Sequence, residues 1–366
     1  MIVDIFSETV RKAKEFLLRE SKSGFPETRH VMYFPHQAGF TGETEKQFSD
    51  VFARAVLANI LLDIAGLEEQ DEQFRATLHD IAQRESLYIA EAKLRDRAGG
   101  WSYFPDLPDL PPDVDSLAAA ALLFARIAPE YKPLCEEPVN IVLNSNISQD
   151  HSVKTWIIAP TNTDIQRQTM IRGIDQYWGN TVDVEVCANF YLALLAYDRQ
   201  CYGKLVLKGA KYILSRQSDN GVWNSTWYWG YAYGTGLCLR LMHALKTGDD
   251  SVKRAIHFFM ESQKHDGGWG WDTRQTVPLE TALAVWLIVH SGIDIKQTII
   301  ERAAEYIISN QSQDGSWDAS PWIKMEVGRV NDNLKHTLSY QSITLTTAYC
   351  LRSLLLVQKS GFRKKL

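Results

Sequence analysis

Cysteine is scarce in this sequence and does not cluster. The 366 residues hold five, at Cys135, Cys187, Cys201, Cys238 and Cys350, with no Cys-x-x-Cys pair. That excludes a disulfide framework and a cysteine-built zinc site, and it reads as a reduced, cytoplasmic protein. Basic clusters are equally rare. The formal net charge is −5, and the one basic block is the short run Arg363-Lys364-Lys365. Binding driven by nucleic-acid phosphates is therefore not expected. No apolar run reaches the roughly 18–20 residues that span a bilayer. Residues 1–19 carry charges throughout, so they read as neither a signal peptide nor an anchor. Long alternating strand-like runs are also lacking.

Hydrophobic residues make up 45% and charged residues 23%, the balance of a soluble globular chain. Aromatics are plentiful, with 11 Trp, 15 Tyr and 14 Phe. Their placement follows a repeat. Gln217-Ser-Asp-Asn-Gly221-Val-Trp223, Gln263-Lys-His-Asp-Gly267-Gly268-Trp269 and Gln311-Ser-Gln-Asp-Gly315-Ser-Trp317 share one spelling. Fainter copies stand at Gly99-Gly100-Trp101 and Gly24-Phe25. A period of about 47 residues is the length of a helical hairpin. Apolar helical stretches precede the copies at 209–214, 255–260 and 303–308 and follow them at 235–245, 279–289 and 344–356.

The spelling has a physical logic. Glycine lets the chain leave a helix through a left-handed turn. The Asp or Asn before it tolerates that turn. Glutamine can bond exposed backbone at a helix end. Tryptophan covers the junction with a large apolar plate. Such hairpins bury their faces only by stacking on neighbours. Stretches 51–65 and 117–127, rich in Ala and Leu, also read as helix, whereas 140–163 is polar and irregular. The expectation is one all-α domain over 1–366 with roughly twelve helices.

At this point the sequence resembles the squalene–hopene cyclase superfamily of triterpene and diterpene cyclases and, more distantly, the protein prenyltransferase β subunits. The Gln…Gly-x-Trp copies look like that superfamily's QW motifs. Gly221-Val-Trp-Asn-Ser-Thr-Trp227-Tyr-Trp-Gly-Tyr231-Ala-Tyr233-Gly-Thr-Gly236 is similar to the family stretch that begins Gly-x-Trp and ends Tyr-Gly-Thr-Gly. Gly100-Trp101-Ser-Tyr103 followed by Pro112-Asp113-Val-Asp115-Ser116 resembles the lead-in to the family's Asp-x-Asp-Asp acid motif. The resemblance covers most of 99–356. It implies an (α/α)6 toroid like the β domain of class II cyclases.

It also implies an activity, the protonation of an alkene or epoxide in a linear isoprenoid, farnesyl or geranylgeranyl diphosphate among them. The middle aspartate of the motif, here Asp115, is the implied acid and Asp113 its partner. Two neighbouring carboxylates resist double ionisation, and burial favours the protonated form. A helix N-terminus pulls the other way. The same residues also read as a helix N-cap after Pro111-Pro112, and one aspartate can cap while the other donates. Ser116 stands where the common motif has aspartate, a position that drimenyl-diphosphate synthase-type members fill with threonine. Leu117 replaces the threonine that follows.

By resemblance Trp227 faces the cation, Tyr233 stands near the acid, and Tyr231 lies beside the cavity. Trp101 serves either the cavity or the core, and Glu185 of Asp183-Val-Glu185 lines the cavity or follows a helix N-cap. Electron-rich rings can stabilise a carbocation. Trp223, Trp269 and Trp317 read as structural. Protonation needs no cofactor, and Mg²⁺ enters only with a diphosphate substrate. A prenyltransferase zinc set is poorly matched: Asp272 and His336 are spaced tolerably, but Arg274 occupies the cysteine position. No Asp-Asp-x-x-Asp cluster or glycine-rich phosphate loop is present. Full-length relatives close the cavity with a second helical domain, so closure is expected from a second copy, another subunit or segment 34–45. A hydrophobic rim for peripheral membrane contact would suit such substrates. The alternative is a toroid that binds an isoprenoid or a protein without turnover, or a cyclase subunit needing a partner.

Overall fold

The computed structural model describes residues 2–33, 46–271, 275–328 and 336–361. Six helices stand side by side around an axis: α2 (Val51–Leu67), α4 (Val114–Ile127), the first part of α7 (Val184–Ser215), α8 (Ala232–Leu245), α10 (Pro278–His290) and α12 (Ile343–Lys359). Each packs on the next, and α12 packs back on α2, so the ring closes. These helices are rich in Ala, Leu and Val and are buried on nearly every side. Such composition suits a helix with neighbours all round.

The outer layer is α1 (Ile2–Lys22), α3 (Glu72–Glu91), α5 (Pro133–Ile141), the second part of α7, α9 (Asp249–Glu261) and α11 (Gln297–Ser309). The two parts of α7 meet at Asp198, whose backbone is extended at φ −159°. Its carboxylate accepts the Cys201 amide at 2.9 Å, so Asp198 caps the second part. The twelve segments make an (α/α)6 toroid, the expected fold. One further helix, α6 (Asp164–Gly173), lies in the irregular connection before α7.

The repeated spelling builds the outer joints. Gln217, Gln263 and Gln311 each donate Nε2 to the glycine carbonyl of their own turn, at 2.6, 2.7 and 3.0 Å. The same Nε2 reaches a carbonyl of the next outer helix, Ser251 and Ile299 in the first turns of α9 and α11 and Thr9 further along α1, at 2.8, 2.8 and 2.9 Å. Trp223, Trp269 and Trp317 donate their indole N–H back to Ile213, Phe259 and Ile307, in the last turn of the preceding helix. Gly221, Gly267 and Gly315 have φ of +92°, +93° and +93°. A Cβ at Gly315 would collide with the Lys12 carbonyl. The third copy therefore seats α1, from the other end of the chain, as the next outer helix.

Strands are present where none was expected. β1 (His30–Tyr33) pairs antiparallel with β2 (Lys46–Ser49), and β3 (Ser320–Val327) with β4 (His336–Ser342). The second hairpin is an insertion into the repeat. In the first two copies the tryptophan amide donates to a threonine 12 residues on, Thr235 and Thr281. In the third the partner is Thr347, 30 residues on. β1 and β2, four residues each, are too short to stand out by alternation, whereas 323–327 of β3 does alternate and is the signal that reading for long runs passed over.

Gln311→Ala should expose the closing joint. It leaves the Thr9 and Gly315 carbonyls without that donor, at a cost of about 1–3 kcal/mol. Amide hydrogen exchange should accelerate in Ile2–Lys22, whereas Gln263→Ala should leave that helix protected. Equal protection of α1 in both variants would refute the closure argument.

Candidate active site

The inner helices run parallel, so their N-terminal ends gather at one end of the ring. α4 starts there, with Asp113 as its cap. One Asp113 oxygen accepts the Ser116 amide at 2.7 Å and the other the Ser116 hydroxyl at 2.9 Å. The departure from the common motif thus has a local role: a serine hydroxyl serves the capping carboxyl. Leu117 is fully buried in the core. Asp113 is fixed from both sides, since its amide donates to the Trp101 carbonyl at 3.0 Å and Val114 donates to Thr155 at 2.9 Å.

Asp115 lies in the first turn of α4, 7% exposed. Asn189, from α7, donates to one of its oxygens at 2.6 Å, and the Tyr228 hydroxyl donates to the other. Burial raises the Asp115 carboxyl to about 6, against the two hydrogen bonds that favour its ionised form. Burial, and then the nearby Asp115 charge, raise Asp113 to about 7, against the Ser116 bonds. Both carboxyls wall one cavity, whose other walls are largely aromatic: Phe52, Tyr103, Trp156, Trp178, Trp227 and Tyr228. Trp156 meets Trp227 edge to face at 5.5 Å. β3 supplies Ile323 and Met325 to the same cavity. Its free volume is about 50 Å³, room for a few water molecules.

A loop before α8 presents Trp227 and Tyr228, and it is held by two buried glutamates. Glu185 accepts the Thr226 and Trp227 amides on one oxygen, at 2.7 and 3.0 Å. Glu280 accepts the Tyr231 and Ala232 amides, both at 2.8 Å. Burial raises Glu185 to about 8 and Glu280 to about 7. Asp183 accepts the Trp227 indole N–H at 2.8 Å and the Thr155 and Thr181 hydroxyls at 2.7 Å each, and makes no side-chain cap bond. The other oxygen of Glu185 has no hydrogen-bond partner.

Asp113, Asp115 and Trp227 of the sequence-selected residues therefore meet at one cavity. Tyr233 packs on Tyr228 at 4.2 Å and lines a separate cavity deeper in the ring. Tyr231 is half-buried and packs edge-on against Phe258 at 5.4 Å. Trp101 is buried against Phe124 and donates to the Ile89 carbonyl at 2.8 Å, the joint role seen in the other copies. Glu185 holds backbone and is not among the cavity's lining residues. Asn189, Tyr228 and Phe52 were not selected, because their roles depend on helix neighbours rather than on a local motif. Tyr228 does lie inside the 221–236 motif, one place from Trp227.

Among the described residues no group of three His, Cys, Asp or Glu side chains gathers as a metal shell requires. Asp272, Arg274 and segment 34–45 lie outside the described residues, as does the His336 side chain. Among the described residues no helix is long and apolar enough to cross a membrane.

The fold is that of solved type II terpene cyclases. The chain superposes on MstE from Scytonema with a TM-score of 0.67 at 16% identity, covering 98% of this chain and 99% of that one. A variant of that protein solved with geranylgeranyl dihydroxybenzoate, its substrate, gives 0.68 at 15% identity, over 98% of each chain. Residues 49–332 match the family described as the squalene–hopene cyclase C-terminal domain, and the chain belongs to that family. It is 22% identical over 292 residues to the squalene–hopene cyclase of Zymomonas mobilis, covering 74% of this chain and 44% of that protein. It is also 34% identical over 80 residues to terpentedienyl-diphosphate synthase of Kitasatospora griseola, covering 21% and 16%. The chain thus spans less than half the length of the curated relatives it matches.

The raised carboxyls predict a direction for stability. A carboxyl whose pKa is higher in the folded state stabilises the fold below its unfolded value and loses that contribution as pH rises through the folded value. For Glu185 the window runs from its ordinary 4.5 up to about 8. Tm should therefore fall between pH 5 and 8.5. Glu185→Gln should flatten the fall, by up to about 1.4 kcal/mol per pH unit in the window. An unchanged slope in thermal scans of the variant would contradict this assignment.

Proposed function

We propose that this chain is a class II-type terpene cyclase, with Asp115 as the acid that starts cyclisation of a linear isoprenoid. One observation carries the reading: a buried, protonatable carboxyl, held on both oxygens by Asn189 and Tyr228, faces a largely aromatic cavity. Carbon is a weak base, so the acid must be both protonated and strong. Burial keeps the proton on Asp115, and the two hydrogen bonds stabilise the carboxylate left behind. The alkene π electrons form the new C–H bond, and the O–H electron pair stays on Asp115. The resulting cation is attacked by the next double bond. Proton loss or water capture ends the sequence.

Rings stabilise the cation through their faces, about 1–2 kcal/mol each when desolvated. Trp227 and Trp156, buried and edge to face, suit that task. Asp113 carries a negative charge or a proton beside the acid and fixes the first turn of α4. The family resemblance and the substrate of MstE support a prenyl chain of fifteen or twenty carbons, as a diphosphate or on an aromatic acid. Mg²⁺ belongs to this reading only through a diphosphate, and no step here uses it. A chain of that size exceeds the free volume, so the walls move on binding. The wall formed by β3 rides on a hairpin rather than a core helix, so it is the wall assigned to move. Val31 and Phe48, cross-strand partners on β1 and β2, are exposed and suit delivery from a membrane or closure by a second copy.

Incubation with geranyl, farnesyl and geranylgeranyl diphosphates, squalene and a geranylgeranylated hydroxybenzoate, followed by mass spectrometry, tests the reading. A cyclic product absent with Asp115→Asn is the expected outcome. No turnover of any substrate by folded protein would favour the binding toroid or a subunit lacking its partner.

Tyr228→Phe gives a second test. It removes a bond that lowers the Asp115 pKa, so the alkaline limb of the rate profile should move above pH 6, while kcat falls about 10–100-fold. A lower rate with an unmoved limb would place Tyr228 outside the acid's control.

A further inference from the structure

The opposite halves of the inner helices enclose a different chemistry. Arg240 of α8 and Arg352 of α12 line the deeper cavity together with Asp63 of α2 and Trp286 of α10. Arg352 is 3% exposed, and its guanidinium lies 4.9 Å from both the Trp286 and Tyr349 rings. Arg240 lies 5.6 Å from the Trp286 ring on α10. Arg126 of α4 completes the group from the neighbouring face.

The charges do not balance. Asp63 accepts Arg126 at 2.8 Å and Arg352 at 3.0 Å. No other carboxylate pairs with these arginines among the described residues. Arg126 spends its remaining bonds on Asn59. Arg352 keeps a buried Nε with no partner, and Arg240 has no hydrogen bond or ion pair within the described residues. Arginines placed to cap helix ends would bond terminal carbonyls, and these two bond none. Stacking on a ring leaves a guanidinium's N–H edge free to grip an oxyanion. Arg352 is buried and shares Asp63 with Arg126, so half-buried Arg240 is the cation left for an anion to meet.

The cavity also has a vestibule. Arg240, Trp286 and Leu287 are shared with a larger chamber of about 510 Å³. His243, Lys246 and Lys253 line that chamber with Asp249, and Lys253 also lies 3.8 Å from Asp250. A basic mouth thus leads inward to two stacked arginines, a focusing arrangement for anions.

We propose that the chamber at Arg240, which opens onto the arginine-lined cavity, is a binding site for a phosphate or diphosphate group, separate from the aromatic cavity. Two arginines line the cavity against one aspartate, and Arg240 keeps its N–H edge unspent where the lysine-bearing chamber opens, so a phosphate with several oxygens can bridge the arginine and the lysines. The site stands independently of the proton-transfer reading, because its readout is binding. The group can arrive as a free anion or as the head of an organic diphosphate, whose apolar part the chamber's Leu239, Val252 and Ile293 would cover.

Calorimetric titration of the full chain with inorganic pyrophosphate, at fixed ionic strength and without metal, tests the site. Saturable binding of one equivalent is expected. Arg240 is half-buried and unpaired, so Arg240→Gln should fold, and it should weaken binding at least tenfold, with partial rescue by Arg240→Lys. Arg172→Gln, an exposed rim arginine paired with Asp109, should change nothing. A second titration uses farnesyl diphosphate on protein saturated with pyrophosphate. Competition that Arg240→Gln relieves identifies a head-group site, and pyrophosphate binding without competition identifies a free-anion site. Either supports the proposal. No saturable binding of pyrophosphate, or binding that Arg240→Gln leaves unchanged, overturns it.

Discussion

Four backbone amides bonded to two buried glutamates carry the cavity. Glu185 and Glu280 stand in the first turns of α7 and α10, on either side of α8. Each turns one oxygen toward the loop entering α8 and accepts two of its amides. The loop has no ladder of its own there, so without these acceptors its buried N–H groups would be orphaned at about 1–3 kcal/mol each. Once the loop is fixed, Trp227 and Tyr228 have set positions, and the rest follows. Tyr228 reaches Asp115. The Trp227 carbonyl and the Trp229 amide bond to Lys324 and Trp322, which docks β3 against the cavity. Neutral glutamates suit the post better than ionised ones, because desolvating a carboxylate would cost more than two amides return.

The proposed acid, Asp115, is set by a contest in which neither side wins outright. Burial alone would hold Asp115 far above the carboxylate range, and two short hydrogen bonds alone would hold it below. The balance near 6 leaves a group that is protonated in mildly acidic solution and still gives up its proton readily. Asp113 bonds its own helix rather than Asp115, and the carboxylate whose charge adds to the rise of Asp115 is Asp183. The expected tension between helix cap and acid resolves by division: Asp113 takes the cap, leaving the Asp115 oxygens to side chains from α7 and the α8 loop. Ser116 makes that division tighter, since its hydroxyl occupies the second oxygen of the cap.

The ring was legible in the sequence because its joints are local. Gln, Gly and Trp sit within seven residues, and each makes its bonds to the adjoining helix ends, so their chemistry can be read from spacing. Asp113 and Asp115 were legible as a motif for the same reason. Asn189 and Tyr228 were not, since 74 and 113 residues separate them from Asp115. Tyr233 was expected near the acid and packs on Tyr228, which is the residue that touches Asp115 and was not foreseen, because the turn at 227–231 is not helical and no period projects its side chains. Trp101 illustrates the opposite case. Its glycine pair marked it as a repeat residue, and its indole bond to Ile89 follows the same rule as Trp223.

The cavity lies where the repeat is broken. Regular copies pass from tryptophan to inner helix in one short loop, and such loops give a ring with a packed axis. Two departures add walls. The irregular segment before α7 supplies Thr155, Trp156 and Trp178, and the hairpin inserted before α12 supplies Ile323 and Met325. Neither departure disturbs the joints, because Trp317 still bonds Ile307 and Thr347 across the insertion. The regular part therefore supplies rigidity and parallel helix N-termini, and the irregular part supplies shape. Change in chain length or ring size at those two insertions alters the cavity while leaving the closure at Gln311 and Thr9 intact. A toroid built this way can vary the substrate it encloses without varying the bonds that keep it folded.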